Sequence, residues 1–294
     1  MKKTILTLVA GAVAAAGLIG CSSETRSEAA DTADAGHYAK VNGLDMYYEV
    51  HGEDNGKPPL VLLHGALSAT GTSFGELVPA LAKSRRVIAI EQQAHGHTAD
   101  TDRPLRMNTM ADDTLALLSQ IGVEKADFFG YSVGAGIAID IVVRHPEAVG
   151  KLVLASASYT PAQLQPGLLD GIQTLQPEML EGSPFIEEYR RIAPRPEDFS
   201  KLVERVKDLD AHIPTYTTEQ IKAIKAPVFL IAADNDIVVP EATVEFYRLL
   251  GGGIEGSSGL PASQLAVIPG TSHITVLGQP AVLQPLIGSF LEKN

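Results

Sequence analysis

Three residues of this 294-residue chain have the types and the setting for nucleophilic catalysis. Ser132 lies in Gly130-Tyr131-Ser132-Val133-Gly134, between a strand-like run, Ala126 to Phe129, and a helix-like run, Gly134 to Arg144. A G-x-S-x-G pentapeptide in that setting predicts a sharp turn. Its flanking glycines let the strand and helix backbones close up, and the serine Oγ is pushed out at the sheet end. A serine hydroxyl is a weak nucleophile at its free pKa, so it needs a base, and the base needs a carboxylate to orient it. Carboxylates follow in Ala233-Asp234-Asn235-Asp236, past the apolar run Val228 to Ala232. An imidazole follows in Gly270-Thr271-Ser272-His273, past Leu265 to Ile268. The chemistry expected is acyl transfer through an acyl-enzyme: Ser132 attacks, His273 takes and returns the proton, and one of the two carboxylates, Asp236 or Asp234, orients the imidazole. The tetrahedral intermediate needs backbone N–H donors, for which Val133, after the nucleophile, and Ala66, in the loop after Leu60 to Leu63, have the right positions.

The elements that must hold these residues alternate along the chain. Near-continuous apolar runs at Leu60–Leu63, Val87–Ile90, Ala126–Phe129, Leu152–Ala155, Val228–Ala232 and Leu265–Ile268 suit strands covered on both faces, as in parallel sheets. Helical patterns lie between or after them at Phe74–Lys83, Thr109–Ile121 with Asn108 as N-cap, Gly134–Arg144, Ala242–Leu250 and Ala281–Leu291. Asn42-Gly43, between Val41 and Asp45–Val50, signals an edge hairpin. The alternation fails from about Tyr159 to Ile224, where prolines and amphipathic segments such as Phe199–Leu209 occur without a strand, so residues 159–224 are expected to be a helical insertion. The fold class is therefore α/β, a mostly parallel sheet with an antiparallel edge. All three candidate residues fall at the C-terminal ends of strands, where open α/β sheets place their sites.

The other histidines have no such setting. His37, His51, His145 and His212 fit structural roles, and His64-Gly65 fits loop shaping. His95 and His97 form an H-x-H without a third ligand at metal spacing, so neither metal nor cofactor is expected. Gly251 to Gly259 follows a helix instead of opening one and suits a surface loop. A net charge of −12 opposes nucleic-acid binding.

One cysteine, Cys21, excludes an internal disulfide, a thiolate metal cluster and a CxxC pair. It follows Lys2, Lys3 and an apolar stretch, Ile5 to Ile19, which is too short for the roughly 20 residues of a membrane span but suits an export signal. Leu18-Ile19-Gly20-Cys21 resembles a bacterial lipobox. On that resemblance residues 1–20 are a signal peptide and Cys21 is the acylated first residue of the mature chain. The protein is then exported to the cell envelope and lipid-anchored to a membrane. Residues 21–36 lack any large apolar side chain and are expected to be a flexible tether.

From residue 38 to 293 the chain resembles the cap-bearing α/β-hydrolases, through Leu63-His64-Gly65, Gly130-Tyr131-Ser132-Val133-Gly134, Asp236 and His273. The resemblance implies a core of residues 37–158 and 225–294, with residues 159–224 as a cap over the pocket. Two loops depart from the family pattern. Ala233 stands where Gly-Asp-x-Asp has its glycine, and Ala94 stands within Glu91 to Thr98 where Asp-x-x-Gly-x-Gly-x-Ser has its first glycine. Dehalogenases and epoxide hydrolases of the family use an aspartate nucleophile, whereas this elbow carries Ser132, and halide sites lean on tryptophan, of which the chain has none. The expectation is a carboxylic-ester hydrolase acting on a small acyl substrate. The alternatives are a C–C bond hydrolase or a cofactor-free haloperoxidase or perhydrolase with the same triad, or a non-catalytic binding lipoprotein.

Overall fold

The structure, a computed structural model, describes residues 36–253 and 259–293. The expected signal peptide, Cys21, nearly all of the tether and the centre of the Gly251–Gly259 segment lie outside the described residues. Eight strands form one sheet: β1 His37–Val41, β2 Leu44–His51, β3 Leu60–Leu63, β4 Val87–Ile90, β5 Ala126–Tyr131, β6 Val149–Ala155, β7 Val228–Asn235 and β8 Gln264–Ser272. The spatial order is β1-β2-β4-β3-β5-β6-β7-β8. β2 runs antiparallel to β1 and β4, and the remaining neighbours are parallel. The hairpin turn places Asn42 at φ 50° and Gly43 at φ 86°, the left-handed pair that a two-residue turn of this kind requires.

The apolar runs are buried because both faces of the sheet are covered. β3, β4 and β5 are buried at every position. The pleat sends alternate side chains to opposite cores. Val61, Leu63, Ile88 and Phe128 meet helices α3 (Met107–Gln120) and α4 (Val133–Arg144). Leu60, Leu62, Ala89 and Phe129 meet α1 (Thr70–Phe74), α2 (Val78–Leu81) and the C-terminal helix α10 (Pro280–Glu292).

Two helices begin elsewhere than the pattern suggests. The segment expected as one helix from Phe74 to Lys83 is two short ones, α1 starting at Thr70 and α2 at Val78. Pro79 stands at the start of α2, where its missing N–H costs nothing; inside a longer helix it would break the ladder. Helix α3 starts before Asn108, with Arg106 as its N-cap, because Met107 is drawn into the core against Gly136.

Between β6 and β7 lie α5 (Leu168–Gln173), α6 (Pro184–Ile192), α7 (Phe199–Asp210) and α8 (Thr218–Ala223), with a short 3₁₀ segment ahead of each of the first three. The insertion packs Leu180, Ile186, Tyr189, Phe199, Leu202 and Val203 together. Polar bonds fasten it to the sheet. Glu188 accepts from Thr72, Arg106 donates to Asp208 at 2.7 Å and Arg205 to Asp100 at 3.0 Å. After β7 comes α9 (Pro240–Leu249), whose Phe246 is fully buried. No helix among the described residues is long and apolar enough to cross a membrane.

Candidate active site

The turn between β5 and α4 is as tight as the pentapeptide predicts. Ser132 has φ 55° and ψ −118°, a strained conformation for a residue with a side chain. Hydrogen bonds impose it. Its N–H donates to Ala155 O at 3.0 Å, and its carbonyl accepts from Ala135 and Gly136 at 2.9 and 3.1 Å. The flanking glycines are obligatory. A Cβ on Gly130 would lie 2.3 Å from Gly134 O, and one on Gly134 would lie 2.0 Å from Leu63 O.

The strand ends bring the other two candidates to this turn. Ser132 Oγ lies 3.0 Å from His273 Nε2, and His273 Nδ1 lies 2.9 Å from Asp236 Oδ1. A carboxylate can only accept, so Nδ1 carries the proton and Nε2 offers its lone pair to the serine hydroxyl. Asp236 is saturated with donors. Oδ1 also accepts from Ile237 N at 2.8 Å, while Oδ2 accepts from Ser156 Oγ at 2.6 Å and Ala233 N at 3.1 Å. Burial pushes the Asp236 carboxyl up, but the bonds from His273, Ser156 and Ala233 outweigh it and hold it below the usual carboxylate range.

Asp234, the alternative acid, is exposed at the cavity rim and does not bond the His273 imidazole. It accepts from Gly270 N at 2.8 Å and Thr271 N at 3.0 Å, which steadies the loop that carries His273. Tyr131 anchors that loop from the other side, its hydroxyl donating to His273 O at 2.7 Å. Neither Ser156 nor the Tyr131 bond was legible in the sequence, since a lone serine after a strand and an aromatic inside a motif carry no distinguishing pattern.

Ala66 and Val133 border the same cavity as Ser132. Val133 is the first residue of α4, where N–H groups find no acceptor within the helix. His64 holds the neighbouring loops together. Its Nδ1 donates to Gly65 O at 2.8 Å and its Nε2 accepts from Gln92 N at 3.0 Å. Burial, with His95 beside it, pushes the His64 imidazole down to about 3, and burial pushes His95 down to about 4. His95 and His97 do not converge. His95 bonds Gln93 O at 2.9 Å, whereas His97 Nδ1 lies 2.9 Å from Glu91. Among the described residues no group of three or more His, Cys, Asp or Glu could hold a metal ion.

The cavity above Ser132 has a volume of about 520 Å³ and is walled by both the sheet end and the insertion. Of the insertion aromatics, Phe185 and Tyr216 reach the cavity, while Tyr189 and Phe199 pack on each other with ring centroids 5.3 Å apart. The site sets a hydroxyl, an imidazole and a carboxylate in line beneath a largely apolar chamber.

Known proteins share this fold. The sequence model described as the alpha/beta hydrolase fold matches residues 58–182. A protein of Agrobacterium fabrum, provisionally named the carbamate hydrolase RutD, is 25% identical over 84% of this chain and 98% of its own length. The 2-hydroxymuconate semialdehyde hydrolase of a Pseudomonas strain is 34% identical, but over only 42% of this chain and 44% of its own. Among solved structures, a meta-cleavage product hydrolase of Pseudomonas fluorescens superposes with a TM-score of 0.65 at 22% identity, covering 86% of this chain and 97% of that one. The carboxylesterase CesB of Bacillus subtilis gives 0.65 at 19% identity, covering 88% and 92%. Sheet order, the strained turn after β5 and these likenesses together show that the chain has the α/β-hydrolase fold.

Proposed function

We propose that this protein is a serine hydrolase that cleaves a carboxylic ester through an acyl-enzyme formed on Ser132. The observation that carries the proposal is the unbroken line from Ser132 Oγ through His273 to Asp236, with separations of 3.0 and 2.9 Å. His273 Nε2 takes the hydroxyl proton as Oγ attacks the carbonyl carbon, and Asp236 stabilises the imidazolium that forms. The N–H groups of Val133 and Ala66 receive the oxyanion, helped by the positive end of α4. The imidazolium then returns its proton to the departing alcohol, and water repeats the sequence to free the acid. The Ser132→Ala variant is expected to lose turnover of p-nitrophenyl acyl esters and labelling by a fluorophosphonate; persistence of either in the variant would overturn the assignment.

A second reading has specific support: the likeness to a meta-cleavage product hydrolase and to the 2-hydroxymuconate semialdehyde hydrolase favours C–C bond cleavage with the same three residues. A muconate carries carboxylate, yet among the described residues no Lys or Arg lines this cavity. Assaying a vinylogous diketone acid beside an ester separates the two. The cell-envelope location belongs to the proposal as well and rests on residues 1–36 alone. Mass spectrometry of the mature protein is expected to find an acylated Cys21 at its start, and an unmodified or missing Cys21 would remove the anchor while leaving the hydrolase reading intact.

A further inference from the structure

The cavity wall contains one ionisable group that no protein atom satisfies. Asp210 is the last residue of α7 and shares a face with Val203 and Val206 at helical spacing, so the helix turns it inward with its apolar neighbours. It lines the same cavity as Ser132 and His273, alongside Val206, Ile213, Leu175 and Ile172. Among the described residues its carboxyl has no hydrogen-bond or ion-pair partner. The other acids of this helix all have partners: Glu204 pairs with Lys207 at 2.6 Å and Asp208 with Arg106 at 2.7 Å.

The remaining titratable groups of the cavity are also occupied. Tyr131 donates to His273 O, Tyr216 donates to Asp140 at 2.8 Å, Asp234 accepts from two backbone N–H groups and Asp236 from four donors. Among the described residues no Lys or Arg lines the chamber. A carboxyl at the negative end of a helix, inside apolar walls, is unfavourable twice over, and an apolar residue would serve the packing better. Its position makes sense when the missing partner arrives with the substrate.

We propose that Asp210 is a specificity residue, accepting a hydrogen bond from a hydroxyl or ammonium group carried by the substrate away from the bond that Ser132 attacks. The inference rests on the reading of Ser132 as nucleophile. Burial pushes the Asp210 carboxyl up to about 7, so near neutrality it serves a neutral donor and a cationic one alike. A carboxylate in that position is disfavoured wherever Asp210 is ionised, since two like charges would meet with no Lys or Arg of the described residues lining the cavity between them.

The test compares p-nitrophenyl esters of matched length, over a series of lengths, whose acyl chains end in methyl, hydroxyl, ammonium or carboxylate. The unaltered protein is expected to favour hydroxyl and ammonium ends over methyl by about tenfold in kcat/KM, and to turn over the carboxylate ester least. Asp210→Leu is expected to reverse the methyl preference, and Asp210→Asn to keep the hydroxyl preference while losing the ammonium one. Equal ranking of the four esters by the unaltered protein and Asp210→Leu would overturn the proposal. Binding of n-hexylamine, n-hexanol and hexanoate to Ser132→Ala, followed by calorimetry with and without Asp210→Asn, needs no turnover. If no ester is cleaved but hexylamine binding depends on Asp210, the specificity role stands and the ester reading falls. If hexylamine binds equally with and without the carboxyl, the specificity role falls.

Discussion

The sheet end and the insertion above it treat their carboxylates in opposite ways. At the sheet end, Asp236 has two donors on each oxygen and a lowered pKa. In the insertion, Asp210 faces the same cavity with no protein donor and a pKa raised by burial to about 7. The first is a group whose geometry the fold must complete before any substrate arrives. The second is left incomplete, and its partner comes from outside. On the proposed reading, the difference separates residues that perform the reaction from one that selects what is allowed to react.

The contrast can be broken first at its strongest point. Asp236→Asn should lower kcat by on the order of 10⁴-fold, because an amide in that place favours the wrong imidazole tautomer. Asp234→Asn should cost only about fivefold through loosening of the His273 loop, and equal losses in the two variants would dissolve the distinction between them. Gly134→Ala should destabilise the fold by about 3 kcal/mol or more in urea titrations, since the new methyl lands on Leu63 O. Ser156→Ala removes one of four donors from Asp236 and should lower kcat about tenfold with KM little changed.

The smaller effects concern pH. His64 and His95 have folded pKa values of about 3 and 4, below the ordinary histidine value of 6.5, so between those limits the unfolded chain binds protons that the folded one does not. Stability is present above pH 6.5 and is lost as pH falls, by about 1.4 kcal/mol per unit for each histidine. His95→Gln should flatten that slope in melts at pH 4.5 to 7. Asp210 works in the other direction. Its raised pKa means the folded chain keeps a proton that the unfolded one has released, so stability falls as pH rises from about 4 to 7. Asp210→Leu should therefore raise the melting temperature at pH 8 by a few degrees, about 1 kcal/mol, and more than it does at pH 4.

How much of this was legible depends on whether pattern or placement decides. The central strands read from the sequence because both of their faces are buried, leaving uninterrupted apolar runs such as Leu60–Leu63 and Val87–Ile90. Ser132 and His273 read because each sits beside a strand end. Asp236 and Asp234 share one loop, and no spacing rule separates them. What does is the register shift between Ala233 and Asn235, which turns Asp236 inward and leaves Asp234 to the surface. Asp210 had a weak signal, its helical spacing from Val203 and Val206, masked by five other charged residues in the same helix. Ser156 had none.

The position of β8 carries a consequence for how the protein fails. That strand closes one edge of the sheet with β7 as its single neighbour, and it delivers His273, whereas Ser132 springs from β5 with strands on both sides. Partial openings begin at edges and spare the centre. Under heat, the proposed base should therefore drift from its hydroxyl while the turn that strains Ser132 is still intact, with the hydrogen bond from Tyr131 to His273 O as the last tether. Inactivation would run ahead of unfolding, and amide exchange should reach Thr271 to Ile274 well before Phe129 to Ser132.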